Sequence, residues 1–353
     1  MFKKIEEQGY YLIAEIGVNY YDIAKEREMS LINAAKLMCY EAKAAGVDAV
    51  KFQTYKADKI ASKNSPAYWD LREEPTTSQH ELFMKFDQFG ESEYAELAGY
   101  CREIDIEFMS TPFDFEAADY LDRYLNYYKI SSSDVTNIPF IEHIAQKDKP
   151  ILMSVGASEQ EEIDSALSAI RRHNQKQIVL MHCVLEYPTP YEHANLNKIR
   201  QFQKMYPHLV IGYSDHTKPD KNYNVVKSAC LLGAKVIEKH FTLNKTLKGN
   251  DHYHAMDPSD VVQIKRELDF CNQLCGSGEI HCLESEKRAR LNARRSIVAN
   301  RNLHVGDIIT EESITFKRPG HGISPADSVQ IIGKCVKREV EEDTAISWDD
   351  LVL

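Results

Sequence analysis

The sequence predicts an α/β protein, a (β/α)8 TIM barrel followed by a small β-rich domain. Eight short β-rich segments alternate with helix-length segments over roughly 265 residues, which is the number and size that such a barrel needs. Neither a G-x-G-x-x-G turn nor a Walker A motif is present, which disfavours an open doubly wound sheet. After Cys275 the alternation stops, and short strands separated by turns take its place.

The predicted strands and helices follow one another with little interruption. Strands are predicted at Tyr11–Ile16, Val47–Gln53, Glu107–Thr111, Tyr127–Ser131, Pro150–Val155, Gln177–Cys183, Leu209–Ser214 and Lys235–Phe241. Helices are predicted at Glu28–Ala45, Glu91–Ile104, Asp114–Tyr124, Ile138–Lys147, Ser158–His173, Ala194–Met205, Asn222–Ala234 and Pro258–Cys275. Parallel strands require crossover connections of a dozen or more residues, and these helices supply them.

One connection, Thr54–Gly90, is too long for an ordinary loop between a strand and a helix. It contains Trp69, Pro75 and a short apolar patch at Leu82–Phe86. Long segments of this kind inside a compact domain usually serve function. We therefore interpret it as a lid.

Composition and charge exclude some classes of protein. The net charge of −11 argues against broad binding to nucleic acid or membranes, so an anionic ligand needs a few local cations. No apolar run approaches the roughly 20 residues that span a bilayer, and the first residues do not resemble a signal peptide. The eight cysteines are scattered without a disulfide pattern, which favours reduced thiols and a cytoplasmic location.

The change of character after Cys275 predicts the domain organisation. We expect the barrel at residues 1–275, a linker at 276–295 and the β-rich domain at 296–353. The linker's basic residues are interpreted as an exposed or subunit-facing helix. Arg318 lies in a loop that a proline and two glycines constrain, where it is a surface arginine unless the loop faces an active site.

The predicted strands end on polar residues, which a barrel gathers at its C-terminal mouth. These are Glu15, Lys51, Gln53, Ser110, Thr111, Lys129, Ser131, Ser132, Ser133, Ser154, His182, Ser214, His216, Glu238 and His240. Lys51 and Gln53 share one face of their strand because side chains alternate with a period of two. Two lysines among several hydroxyls predict a pocket for phosphate or carboxylate. The alternative is that the lysines form structural ion pairs with Glu15 and Glu238.

His216 and His240 are one strand–helix–strand repeat apart and should converge at the strand ends. Two imidazoles there suit Mn²⁺, Zn²⁺ or Fe²⁺. Further ligands, or groups that orient the first two, could come from Asp215, Glu238, Asp251, His252 and His254. The alternative is that both histidines are satisfied loop or core residues.

Nine short motifs occur in order along nearly the whole chain. They are AEIGVN (Ala14–Asn19), VKFQT (Val50–Thr54), STPF (Ser110–Phe113), YKISSSD (Tyr128–Asp134), EYPTPY (Glu186–Tyr191), GYSDHT (Gly212–Thr217), EKHFT (Glu238–Thr242), GNDH (Gly249–His252) and KRPGHG (Lys317–Gly322). Together they resemble the sialic acid synthase family, which includes N-acetylneuraminate, legionaminate and pseudaminate synthases. This resemblance implies a TIM barrel joined to a C-terminal antifreeze-like (SAF) domain.

The resemblance also implies an activity in carbohydrate biosynthesis, a metal-dependent condensation of phosphoenolpyruvate with an N-acylated amino-hexose of the N-acetylmannosamine type. C3 of phosphoenolpyruvate would attack the aldehyde carbon, water would add at C2, and phosphate would leave by C–O cleavage, giving a nine-carbon 2-keto acid. His216 and His240 would hold the divalent ion, typically Mn²⁺, with Mg²⁺ or Co²⁺ as alternatives. Glu15 would transfer a proton or orient a water or substrate hydroxyl.

The other residues carried over from the family would bind the substrates. The phosphate and carboxylate of phosphoenolpyruvate would be held by Lys51, Thr111, Lys129, Ser132, Ser154 and Ser214. The sugar site would be lined by Gln53, Asp134, Tyr187 and Asp251. A domain-swapped homodimer would bring Arg318 to the partner's barrel, where it would contact the sugar's acyl group in trans.

Three departures from the family pattern fall near the expected sugar site. Tyr20 stands where many members have histidine, YKISSSD replaces YKIGSGE, and Leu185 replaces an asparagine of some neuraminate synthases. They leave the sugar open, and a legionaminate- or pseudaminate-type 2,4-diacetamido-hexose is the alternative acceptor. Two other classes are a metal-dependent hydrolase, which would usually carry H-x-H on the first strand, and a non-catalytic sugar- or anion-binding protein.

Overall fold

A computed structural model of the chain describes residues 1–72, 74–249 and 251–352. The chain divides into two compact units, Met1–Gly276 and Ser277–Leu353. The first unit is a (β/α)8 barrel and the second is a small domain with a two-stranded antiparallel sheet, which confirms the predicted fold class. Within the described residues, no helix combines the length and apolar character that crossing a bilayer requires.

Strands and helices alternate through the first unit. Its strands are β1 (Tyr11–Gly17), β2 (Ala49–Thr54), β3 (Glu107–Pro112), β4 (Tyr128–Ile130), β5 (Ile151–Ser154), β6 (Ile178–Cys183), β7 (Val210–Asp215) and β8 (Val236–His240). Its helices are α1 (Phe2–Gln8), α2 (Tyr20–Glu26), α3 (Leu31–Ala45), α4 (Ala57–Ile60), α5 (Gln79–Lys85), α6 (Glu91–Glu103), α7 (Phe115–Leu121), α8 (Ile138–Ala145), α9 (Gln160–His173), α10 (Asn197–Met205), α11 (Asn224–Leu231) and α12 (Pro258–Cys275). All eight predicted strands are present.

The eight strands form one parallel sheet in the order β3-β2-β1-β8-β7-β6-β5-β4. The two end strands, β3 and β4, lie side by side and close the barrel. In this register Glu15 lies opposite both Lys51 and His240, and Ser214 lies opposite Glu238. Closure therefore brings residues that are distant in sequence to one level of the mouth.

The barrel interior changes from apolar to polar along the strands. Its apolar core consists of Tyr11, Ile13, Ala49, Met109, Leu152, Val179, Met181 and Val236. Because alternate residues share a face, Glu15, Lys51, Thr111 and Ser154 point the same way as this core but lie further toward the C-terminal ends. The apolar layers thus lie beneath the polar residues, which occupy the C-terminal end of the barrel interior.

The helices differ from the prediction at the start of the chain. Helix α3 begins at Leu31, with the Ser30 hydroxyl accepting from Asn33 N at 3.4 Å, rather than at Glu28. Glu28 has a φ of 52°, which a regular helix cannot accommodate, so α2 and α3 are separate. The unpredicted helices α1 and α2 are short, and sequence periodicity is weak over one or two turns.

The long segment Thr54–Gly90 contains α4, α5 and a bridge between Pro66 and Ser78. The indole N–H of Trp69 donates to the carbonyls of Glu74 and Thr76, each at 3.1 Å. The described parts of this segment therefore contain short helices and hydrogen-bonded turns. Its predicted role as a lid stays a prediction.

The second unit contains the helix α13 (Lys287–Ala293), the antiparallel strands β9 (Ser296–Ala299) and β10 (Ile314–Lys317), and the short helix α14 (Ser328–Ile331). Its own core includes Ile297, Leu303, Ile309, Val336 and Ile346. The described residues after β10 pair only through isolated bridges, among them Leu303–Val340 and Ile308–Cys335, so the short strands expected there are less regular than predicted.

Candidate active site

A cavity of about 410 Å³ lies at the C-terminal mouth of the barrel. It is lined by Glu15, Lys51, Gln53, Thr111, Phe113, Lys129, Ser131, Ser132, Ser154, Cys183, Leu185, Tyr187, Ser214, His216, Glu238 and His240. Every barrel strand contributes a residue from its end or from the loop that follows it. The structure therefore brings most of the predicted site residues into one cavity.

The two lysines are buried on opposite sides of Glu238. Lys51 Nζ donates to Thr111 Oγ1 at 3.1 Å and pairs with Glu15. Lys51 Nζ lies 3.8 Å from Glu238 Oε2, and Lys129 Nζ lies 3.9 Å from Glu238 Oε1. The alternative interpretation predicted that the two lysines form structural ion pairs with Glu15 and Glu238, and these ion pairs are present. The same lysines also line the cavity.

Burial and pairing move the pKa values of these four groups in different directions. Burial raises the pKa of Glu15 above its ordinary value. Burial would also raise the pKa of Glu238, but Lys129 and Lys51 hold it below its ordinary value. Burial lowers the pKa of Lys129, whereas the nearby Glu15 and Glu238 outweigh burial and raise the pKa of Lys51. Glu15 is therefore the carboxylate better suited to accept a proton.

The hydroxyl groups of the cavity have different partners. Ser214 Oγ donates to Glu238 Oε1 at 2.8 Å, and Ser132 Oγ accepts from Gly156 N at 2.8 Å. The buried Ser154 Oγ has no hydrogen-bond partner among the described residues. Since buried polar groups are nearly always paired, Ser154 is available to a ligand in the cavity.

His216 and His240 face each other across the mouth, with ring centroids 5.5 Å apart. His216 Nδ1 lies 2.7 Å from the carbonyl oxygen of Val184. A carbonyl only accepts, so Nδ1 carries the proton and Nε2 keeps its lone pair for a ligand. The Tyr187 ring lies against His216, with centroids 4.2 Å apart, and fixes the plane of the imidazole.

A cluster of possible metal ligands extends from His240 to the turn after β8. One donor atom each from His240, Asp251 and His254 lies within 4.8 Å of the others. Neither ring nitrogen of His254 nor Nδ1 of His240 has a hydrogen-bond partner among the described residues. Burial lowers the pKa of both histidines and raises that of Asp251 to about 6. Neutral imidazoles with unshared lone pairs fit a divalent transition-metal ion.

A second, larger cavity of about 680 Å³ shares Gln53, Tyr187 and His240 with the first. The rest of its wall is Val18, Tyr55, Tyr68, Trp69, Glu74, Leu82, Phe83, Phe86, Asp251 and Tyr253. Most of these residues come from Thr54–Gly90, and sequence reasoning identified none of that segment's residues as individual site residues. The sequence signal that could have identified this cavity is the high density of aromatic and apolar residues in so long a loop.

Some residues predicted at the mouth lie elsewhere. The walls described for the two cavities do not include Ser110, Ser133 and His182, whose side chains form hydrogen bonds with Thr54, Ser131 and the carbonyl of Ala194. Two residues predicted to bind the substrates, Asp134 and Arg318, also lie elsewhere. Asp134 is on the 3₁₀ turn Ser132–Asp134, where its carboxylate accepts from Asn137 Nδ2 at 3.3 Å, and it is not in the described wall of either cavity. Arg318 is in the second unit, where it lines a cavity with Arg288 and Asn292. The roles predicted for both residues stay predictions.

Comparison with known proteins places these features in a family. The NeuB family model matches residues 38–280, and the SAF domain model matches residues 294–352. An uncharacterised protein of Methanocaldococcus jannaschii is 37% identical over 97% of this chain and 94% of its own length. The N,N'-diacetyllegionaminic acid synthase of Legionella pneumophila is 33% identical, with the same shares covered.

Among solved structures, the N-acetylneuraminic acid synthetase of Leptospira borgpetersenii, in complex with citrate, has a TM-score of 0.68 and 28% identity. The match covers 79% of this chain and 90% of that one. The family model spans well over half of the chain, and its match includes seven of the eight barrel strands and most of the site. The chain therefore belongs to the NeuB family and carries a C-terminal SAF domain.

Proposed function

We propose that this chain is a nonulosonic acid synthase. It condenses phosphoenolpyruvate with the open-chain form of an N-acylated amino-hexose and releases a nine-carbon 2-keto acid and phosphate. The observation that carries the proposal is one cavity that combines two buried lysines, an unpaired serine hydroxyl and two facing imidazoles. The named relative that makes N,N'-diacetyllegionaminic acid supports the reaction class.

The floor of the first cavity suits an enol phosphate. Lys51 and Lys129 supply positive charge from two sides, and the hydroxyls of Thr111 and Ser154 supply directed hydrogen bonds. Ser214, whose hydroxyl donates to Glu238, lines the same floor. The enol's C3 then faces the wider part of the mouth, where the acceptor enters.

The residues around His240 fit a divalent metal, because donor atoms of His240 and Asp251 lie within 4.8 Å of each other in a buried space, and the ring centroid of His216 is 5.5 Å from that of His240. Bound there, Mn²⁺, or Mg²⁺ or Co²⁺ in its place, would polarise the acceptor's aldehyde oxygen as a Lewis acid. The protein's own contribution is to orient that aldehyde. The Tyr187 ring, tilted against that of His216, forms one wall of the cavity beside it.

Glu15 is the group we assign to proton handling. Its carboxylate accepts a hydrogen bond from the Gln53 side-chain amide at 3.0 Å and forms an ion pair with Lys51. Glu15 also lies opposite His240 in the sheet. As C3 attacks the aldehyde carbon, the aldehyde oxygen takes up a proton and becomes a hydroxyl, while C2 becomes electrophilic and takes up water. Glu15 accepts the proton that this water loses, which balances the proton taken up by the aldehyde oxygen. Cleavage of the C2–O bond then releases phosphate and leaves the ketone.

The second cavity is our proposed acceptor site. Gln53, Asp251 and Glu74 present amide and carboxylate groups to sugar hydroxyls, while Tyr55 and Phe86 form an apolar wall for acyl methyl groups. Because the cavities share Gln53 and His240, acceptor and phosphoenolpyruvate would meet at their junction.

The test is phosphate release from phosphoenolpyruvate with a panel of acceptors, each with and without a divalent metal. The panel contains N-acetylmannosamine and 2,4-diacetamido-hexoses, and mass spectrometry identifies the keto acid. We expect release that requires both metal and acceptor. Release of phosphate without any sugar, or turnover of a sugar ester without phosphoenolpyruvate, would instead indicate a hydrolase, and binding without release would indicate a binding protein.

A further inference from the structure

His254 is a buried histidine that the proposed chemistry leaves without a role. It closes the 3₁₀ turn His252–His254 that follows β8, and its side chain is 0% exposed. Its ring centroid lies 4.9 Å from that of His240 and 6.3 Å from that of His216. His254 therefore belongs to the same cluster as the two predicted metal-binding histidines.

The ring nitrogens of His254 differ from those of its neighbour His252. The equally buried His252 has Thr242 Oγ1 at 2.7 Å from Nδ1 and Asp22 Oδ2 at 3.1 Å from Nε2. Neither nitrogen of His254 has a hydrogen-bond partner among the described residues. Because buried polar atoms are nearly always paired, His252 is explained as structural, whereas His254 requires another partner.

Asp251 connects His254 to His240. Its Oδ2 lies 3.3 Å from His240 Nδ1, and its Oδ1 lies 3.7 Å from His254 Nε2. Ligands around one metal ion sit about 2.0–2.2 Å from it, which places neighbouring donors roughly 3–3.5 Å apart. The spacing of these three residues is close to that arrangement, and small side-chain rotations would complete it.

We propose that His254 is a third imidazole ligand, which together with Asp251 completes the metal centre begun by His216 and His240. This inference rests on the same divalent ion as the proposed function, but it concerns only how the protein binds that ion. Three imidazoles and one carboxylate favour Co²⁺, Zn²⁺, Fe²⁺ or Mn²⁺ over Mg²⁺, which prefers oxygen ligands and retained water. The ion would be resident in the protein before any substrate arrives.

The test is Co²⁺ binding to the full chain without substrates, followed by visible absorption. His254→Phe keeps a ring of similar size but removes both nitrogens, and His208→Ala changes an exposed histidine as the matched control. We expect His254→Phe to weaken Co²⁺ binding at least about tenfold and to alter the spectrum, while the control matches the wild type. Wild-type affinity and spectrum in His254→Phe would overturn the proposal.

X-ray absorption of the Co²⁺-loaded wild-type chain provides a measurement that does not depend on a variant folding. Three coordinated imidazoles are expected, and two would overturn the proposal. If no acceptor supports turnover while Co²⁺ binding still depends on His254, the proposed function fails and the third ligand stands. The two ideas are therefore tested separately.

Discussion

Lys239 Nζ donates to Asp215 Oδ2 at 2.7 Å, and both side chains are 1% exposed. The same ammonium donates to the carbonyl of Thr217 at 2.6 Å, and Thr217 N donates back to Asp215 Oδ1 at 2.9 Å. Each residue of the pair adjoins a candidate metal ligand, since Asp215 precedes His216 and Lys239 precedes His240. The pair therefore fastens the ends of β7 and β8 together on the side away from the cavity.

We expect Lys239→Met to lower the free energy of unfolding by about 3–5 kcal/mol, because it leaves a buried carboxylate without its cation. Chemical denaturation monitored by circular dichroism measures this. The control is Lys36→Met, which removes the more exposed Lys36–Glu96 pair and should cost at most about 1 kcal/mol. Equal losses of unfolding free energy in the two variants would show that the buried pair stabilises the protein no more than the exposed pair.

Lys129→Met tests the anion pocket. Lys129 is buried beside Glu238, so removing it takes away a cation from phosphoenolpyruvate and leaves Glu238 less compensated. Loss of such a partner typically costs about 2 kcal/mol or more, so kcat/KM for phosphoenolpyruvate should fall at least about 30-fold. The matched control is Lys176→Met, an exposed lysine paired with Asp148. An unchanged kcat/KM in Lys129→Met would remove this lysine from the substrate site.

His216→Ala tests the metal requirement. We expect it to abolish turnover, because the ligand that Val184 and Tyr187 hold in place is lost. Chelation of the wild-type protein should have the same effect, and adding Mn²⁺ should restore activity to the wild type only. His193→Ala, in an exposed histidine, serves as the control. Full activity after verified metal stripping would contradict the metal's role.

The sequence predicted the barrel and much of its mouth because period-two alternation links strand assignment to side-chain direction. Once β2 was assigned, Lys51 and Gln53 had to share a face, and the same argument applied to Glu238 and His240 in β8. The second cavity could not be predicted in this way. Its walls come from Thr54–Gly90, where short helices and turns set the directions and no periodicity extends far enough to reveal them.

The directions of individual side chains at turns could not be predicted from the sequence either. Asp134 follows Ser132 in a family motif, yet the 3₁₀ turn directs its carboxylate to Asn137. His254 was one of several nearby residues that could add a ligand, and only the folded chain distinguishes it from His252 by its unpaired nitrogens. Spacing places residues near a site, but the local turn decides which of them face it.

Arg318→Ala tests the role proposed for the second unit. If a homodimer brings Arg318 to the partner's acceptor site, as the family resemblance implies, KM for the sugar should rise about tenfold while KM for phosphoenolpyruvate stays unchanged. Arg301→Ala, which removes an exposed arginine paired with Asp307 in the same unit, is the control. Equal rises in both KM values would argue against a contact with the sugar's acyl group.

Trp69 connects the long segment to the second cavity, because its indole N–H donates to the carbonyls of Glu74 and Thr76 while the residue lines that cavity. Trp69→Phe keeps an aromatic ring but loses that N–H, a hydrogen bond worth about 1 kcal/mol. We therefore expect KM for the acceptor to rise about fivefold, with KM for phosphoenolpyruvate unchanged.

The other of the two tryptophans, Trp348, lies in the second unit, so Trp348→Phe is the matched control. In that control variant, Trp69 is the sole tryptophan, and its fluorescence should change on adding acceptor. A response to phosphoenolpyruvate alone, with none to the acceptor, would place the sugar outside this cavity.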